Sequence, residues 1–66
     1  MEGMIAFDDV EVLEELDLGV RCRVDGREVF VGNLVLDPRS TVRRKGDRGK
    51  LVVPRWFALQ NGFAAG

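Results

Sequence analysis

The sequence predicts an all-β domain, a small and strongly bent barrel of about five short strands with a C-terminal helical turn. Three observations predict it. Asp25-Gly26 separates two runs in which apolar and polar residues alternate. Two further turn signatures, at Asp37-Pro38 and Gly46-Asp47, cut the chain into pieces of strand length. Pro54 then ends the alternation and opens a short helical pattern. An α+β fold with a helix over 9–18 is the alternative.

Residues 20–31 read as a hairpin. Val20, Cys22 and Val24 alternate with Arg21 and Arg23 before Asp25-Gly26, and Val29 and Val31 alternate with Glu28 and Phe30 after it. A type I′ loop needs φ > 0 at both central residues, which Asp-Gly tolerates. A two-residue loop also dictates register. Val24 faces Arg27, Arg23 faces Glu28, Cys22 faces Val29, Arg21 faces Phe30 and Val20 faces Val31. One face is then apolar, and the other carries an Arg23–Glu28 pair with Arg21 beside Phe30.

Upstream, Met4 to Phe7 reads as a short first strand. Val10, Val12, Leu16, Leu18 and Val20 keep period 2, interrupted at Glu14. The segment is expected to be extended, with a bend or bulge near Glu14-Glu15. The competing helix would use Asp9 as N-cap and Gly19 as C′.

Downstream, Gly32-Asn33 shifts the phase, so Leu34 and Leu36 become the alternate apolar positions. Asp37-Pro38-Arg39-Ser40 is a turn, with Asp at its first position and Pro at its second. Thr41 to Lys45 and Lys50 to Val53 flank Gly46–Gly49 as a second hairpin. Pro54 suits the first helical position, Arg55 to Asn61 can form two turns, and Gly62 suits C′. Trp56, Leu59 and Phe63 share a helical face, expected to plug the end of the core. Residues 1–63 form one domain and 64–66 a frayed tail. This layout resembles an SH3-like barrel, in which a last strand runs through a proline into a helical turn. The resemblance is architectural and implies no function.

Composition excludes more chemistry than it indicates. The 66 residues contain no His, no Tyr, one Cys, one Ser and one Thr. That removes histidine acid–base chemistry, histidine metal ligation, an intrachain disulfide and a cysteine zinc cluster. No metal and no cofactor are expected. Asp8-Asp9 and Glu14-Glu15 are adjacent pairs, and neighbours on a strand point to opposite faces, so they do not converge on a substrate. Ser40 and Thr41 lie in a turn without a base, and a Ser40–Lys45 dyad has no support. Gly46-Asp47-Arg48-Gly49 lacks the Lys-Ser/Thr of a phosphate loop. The chain is read as a non-enzyme.

A chain this short buries only about 60% of its unfolded surface. Tight β packing or self-association must compensate for the thin core. Apolar runs of three or four residues exclude a membrane-spanning helix, and the acidic N-terminus does not resemble a signal peptide. A lone cysteine suits a cytoplasmic location, and Cys22 reads as a small buried hydrophobe.

The functional hint is charge. Residues 1–37 carry ten acids and three bases, a net of −7, whereas 38–66 carry seven bases and one acid, a net of +6. Arg39, Arg43, Arg44, Lys45, Arg48, Lys50 and Arg55 would neutralise phosphates, with Trp56 offering a ring to a base. The expected function is a small binding module contacting nucleic acid through 39–55. The alternative is a protein–protein module or homo-oligomer, in which acidic and basic segments pair within the chain or between copies and Trp56 is core.

Residues 49–63 are also similar in spacing to the AbrB/MazE/SpoVT swapped-hairpin family. Gly49, Lys50, Leu51, Val53, Pro54, Arg55, Gly62 and Phe63 match its strand–proline–helix–glycine order. Trp56, Phe57 and Asn61 depart from it, and no strand follows the glycine. The resemblance implies a dimeric DNA-binding domain with its basic residues on the hairpin.

Overall fold

Asp25 and Gly26 take φ of 51° and 78°, the left-handed conformation a type I′ loop demands. They join β2 (Gly19–Val24) to β3 (Arg27–Gly32) in the register expected from the loop length, Val24 opposite Arg27 through Val20 opposite Val31. Val20, Cys22, Val24, Val29 and Val31 are all buried. The structure, a computed structural model, describes residues 3–63; the tail expected at 64–66 lies outside them.

β1 (Met4–Leu16) joins the two upstream pieces into one strand and excludes the helix over 9–18. Two bulges bend it. Asp8 and Asp9 together oppose Lys50, with Asp9 at φ 58°. The sequence requires this slip: Phe7 and Val10 both pack inward but are three residues apart, and period 2 cannot hold both without an inserted residue. The second bulge, at Leu13, lies close to the expected bend. It reverses the alternation, so Glu14 and Leu16 face outward and Leu16 is 43% exposed. Leu18 is exposed in the following turn. Both leucines therefore leave the apolar stripe that the sequence assigned them.

β4 (Arg48–Pro54) pairs with the first half of β1, giving the antiparallel order β3-β2-β1-β4. Thr41 to Lys45 is not a strand, which corrects the second hairpin. Residues 37–41 instead line the outer edge of β4 with mixed bonds. Asp37 and Thr41 N–H donate to Val52 and Lys50 carbonyls, while Ser40 Oγ and Thr41 Oγ1 accept the Val52 and Lys50 N–H groups at 2.8 and 2.9 Å. Side-chain oxygens that replace a backbone acceptor divert a segment from a regular ladder. The Asp37–Ser40 turn forms as expected, closed by Ser40 N–H to Asp37 C=O at 2.9 Å. Leu34 lies in a turn, fully exposed, while Val35 and Leu36 pack on the core.

Among the described residues four strands thus stand where about five were expected, in an open sheet rather than a closed barrel. The SH3-like layout survives only as the strand–proline–helical turn order near the C-terminus. That end carries α1 (Arg55–Gln60), which is capped at its C-terminus as the sequence predicts. Gly62 takes φ 80°, Gly62 N–H reaches Leu59 C=O and Phe63 N–H reaches Ala58 C=O, a Schellman arrangement. It returns Phe63 to the core beside Phe7, ring centres 5.2 Å apart. The helix plugs the core with Ala58 and Phe57, while Trp56 and Leu59 are 44% and 52% exposed. The expected Trp56–Leu59–Phe63 face is therefore wrong at two of its three positions. A six-residue helix between a fixed strand end and a fixed cap has little freedom to rotate.

Candidate nucleic-acid interface

The basic residues lie in three places. Arg39 and Arg43 build the loop along β4. Arg39 donates from Nε to Asp37 Oδ1 at 2.8 Å, and Arg43 Nη2 donates to the carbonyls of Pro38 and Asp37 at 2.8 and 3.3 Å. The Arg39 guanidinium holds the Asp37 carboxyl below its ordinary pKa.

Arg44, Lys45 and Arg48 flank a turn docked on β1. Asp47 Oδ2 accepts the N–H groups of Arg43 and Arg44, each at 2.9 Å, which lowers its pKa. Gly46 N–H and Asp47 C=O bond the backbone of Val12, and Lys45 N–H reaches Glu15 at 3.3 Å. An aspartate whose folded pKa is depressed stabilises above its unfolded pKa and loses that contribution as pH falls through the folded value. Asp47→Ala should lower the melting temperature near pH 7, and the difference from wild type should shrink as pH falls below the ordinary aspartate value of about 3.9. Thermal melts of both proteins across that range check it. A difference that stays constant would mean the carboxylate does not hold the turn.

Lys50 and Arg55 lie further along the same edge of the molecule. Lys50 opposes the Asp8-Asp9 bulge. Arg55 N–H bonds Gly3 C=O at the far end of β4, beside Trp56, whose ring meets Phe57 edge-on at 6.0 Å. Arg55 stands seven positions beyond Arg48, about 23 Å of extended backbone. The cations form a line rather than one cluster, and Trp56 stands at its end, away from the basic turn.

Pairing separates these cations. Among the described residues the ion pairs are Arg21–Glu14, Arg21–Glu28, Arg23–Glu11 and Arg39–Asp37. Arg21, not Arg23, holds Glu28, because the diagonal neighbour offers the better geometry. Of the seven basic residues in 39–55, only Arg39 has a side-chain ion pair with a carboxylate among the described residues. Arg43, Arg44, Lys45, Arg48, Lys50 and Arg55 are exposed without one. Arg48 does line an open polar hollow of about 330 Å³ with Asp8, Asp9, Glu11, Arg23, Asp25 and Gly26, where acids offset its field.

Other chemistry finds no support among the described residues. Ser40 Oγ is buried and bonded to both backbone groups of Val52. Cys22 is buried, which pushes its thiol pKa up to about 11 and leaves it a packing residue. No group of three His, Cys, Asp or Glu side chains is placed to hold a metal ion among the described residues. No helix among them is long and apolar enough to cross a membrane.

Sequence reading missed Arg27. Its guanidinium donates to the carbonyls of Asn61 and Gly62 and lies 4.5 Å over the Phe63 ring, tying the hairpin to the helix cap. Only an unaccompanied arginine beside the loop hinted at it. No family model, curated protein or solved structure matches this chain. The spacing shared with the swapped-hairpin family therefore stands on residues 49–63 alone.

Proposed function

We propose that this chain is a small binding module, without catalytic activity, that holds nucleic acid along 39–55. The observation that carries the reading is the absence of side-chain ion pairs at Arg43, Arg44, Lys45, Arg48, Lys50 and Arg55 among the described residues. Had the basic segment evolved to neutralise the acidic half, ion pairs between the two would be expected; among the described residues the only pair reaching it is the local Arg39–Asp37. Unpaired exposed cations along an edge release counterions when they meet phosphates. Exposed Trp56 offers a flat ring at the end of that line. A cytoplasmic location belongs to the same proposal and rests on the single unpaired cysteine.

The test is an amide-shift titration of the labelled chain with short single- and double-stranded oligonucleotides at low and moderate salt. Shifts should cluster at 39–50 and fade as salt rises. Replacing Arg44 and Lys50 together by Glu should flatten the log–log salt slope by about 1.4 to 1.8, two phosphate contacts' worth. These two are chosen because their side chains hold nothing else in the fold, whereas Arg43 also clamps its loop. An absence of shifts at low salt, or a slope unchanged in the double variant, would overturn the reading.

A further inference from the structure

The two edges of the sheet are treated differently. The β4 edge is sealed by 37–41, whose hydroxyls take the Val52 and Lys50 N–H groups. The β3 edge has no paired strand among the described residues. In a two-residue hairpin the pair flanking the loop is hydrogen-bonded, so Arg27, Val29 and Val31 direct their backbone groups at β2. Glu28, Phe30 and Gly32 direct theirs outward. Val35 and Leu36 N–H groups occupy the Gly32 carbonyl. The N–H groups of Glu28, Phe30 and Gly32 and the carbonyls of Glu28 and Phe30 have no intramolecular partner among the described residues.

The charges on β3, Arg27 and Glu28, stand at its loop end and leave Phe30 and Gly32 undefended. The strand has no Lys, no Pro and no bulge, the usual devices against strand addition. Phe30, at its centre, is 45% exposed. We propose that β3 pairs antiparallel with β3 of a second copy, about a two-fold axis at Phe30, continuing the sheet across both chains. The choice of a second copy rests on self-complementarity. A two-fold at Phe30 lets each Phe30 exchange N–H and C=O with its counterpart. It also lets each Gly32 N–H donate to Glu28 C=O of the other copy, making four bonds. Side chains agree with this register. The two Phe30 rings meet on the outer face, and Glu28 faces Gly32, which has no side chain to oppose it. The Glu28 carboxylate is held by Arg21 Nη1 at 2.6 Å, a cation it shares with Glu14, which offsets part of the charge brought to the interface. Centring on Glu28 would instead set two carboxylates face to face. A single strand pair buries little surface, below about 1,200 Å², which makes the dimer weak and reversible. The inference is independent of the nucleic-acid reading.

Sedimentation equilibrium of the full chain, from about 20 µM to about 1 mM, should show a mass rising from 7.4 kDa towards twice that value. Amide exchange over the same range reads the register. Phe30 N–H should become protected as concentration rises, whereas Val29 and Val31 N–H, bonded to β2, should be slow throughout. Phe30→Lys should weaken association at least about tenfold while leaving the folded spectrum intact. A constant monomer mass, Phe30 exchange independent of concentration, or association untouched by Phe30→Lys would each overturn the proposal. Should that variant fail to fold, the exchange of the wild-type Phe30 amide still decides.

Discussion

Leu51→Ala should unfold a large share of the molecules at room temperature. Leu51 is among the largest fully buried side chains and is 1% exposed, on the inner face of β4 opposite Phe7. Truncating a buried leucine costs about 2 to 5 kcal/mol, in lost transfer energy and in the cavity left behind. A domain of this length has a total stability of about 3 to 10 kcal/mol. The substitution therefore removes a major part of it and should lower the melting temperature by about 10 °C or more. Leu59→Ala is the control. Its side chain is 52% exposed, and the change should stay within about 0.5 kcal/mol. Urea unfolding of both variants checks the pair. Equal losses would mean that the half-exposed Leu59 contributes as much to stability as the buried Leu51.

Gly19→Ala should be comparably damaging, through crowding rather than loss. A Cβ at Gly19 would collide with the Val31 carbonyl oxygen and lie 2.8 Å from Gly32 Cα and 2.9 Å from Phe30 Cζ. Two of these three neighbours are backbone atoms of β3, which cannot swing aside as a side chain can. Relief requires β2 and β3 to separate at the pair Gly19–Gly32. Overpacking of this kind costs about 1 to 3 kcal/mol, and more where backbone must move. Denaturant midpoints measure the loss, and faster exchange of the Val31 amide would locate it. Gly32→Ala is the milder comparison, since its nearest contacts are 3.7 Å or more away. Should Gly19→Ala prove as mild as Gly32→Ala, the close approach of the strands is not a constraint on stability.

Gly19 also shows where sequence reading reaches its limit. Its need for a missing Cβ is decided by a strand twelve residues on. Composition alone offered it as a helix C′ residue. The Leu13 bulge has the same character. Period 2 was visible through Val10 and Val12, but the reversal that exposes Leu16 depends on how β1 meets β2. The site was legible in part. The seven cations of the candidate site are plain in the sequence, and six of their side chains lie exposed without an ion pair among the described residues. Their spread along β4, the distance of Trp56 from the basic turn and the role of Arg27 were not legible. These follow from β1 pairing with β4, about forty residues later in the chain.

What the sequence determined by itself was local. The Asp25-Gly26 loop and its register, the Asp37–Ser40 turn and the Gly62 cap each depend on residues within a few positions. There, backbone sterics and short-range hydrogen bonds leave one good solution. Tertiary structure alone decided which phase of β1 faces the core, which edge the Ser40 and Thr41 hydroxyls seal, and which edge is left open. Those outcomes depend on long-range strand pairing, in which one inserted residue turns every following side chain to the other face.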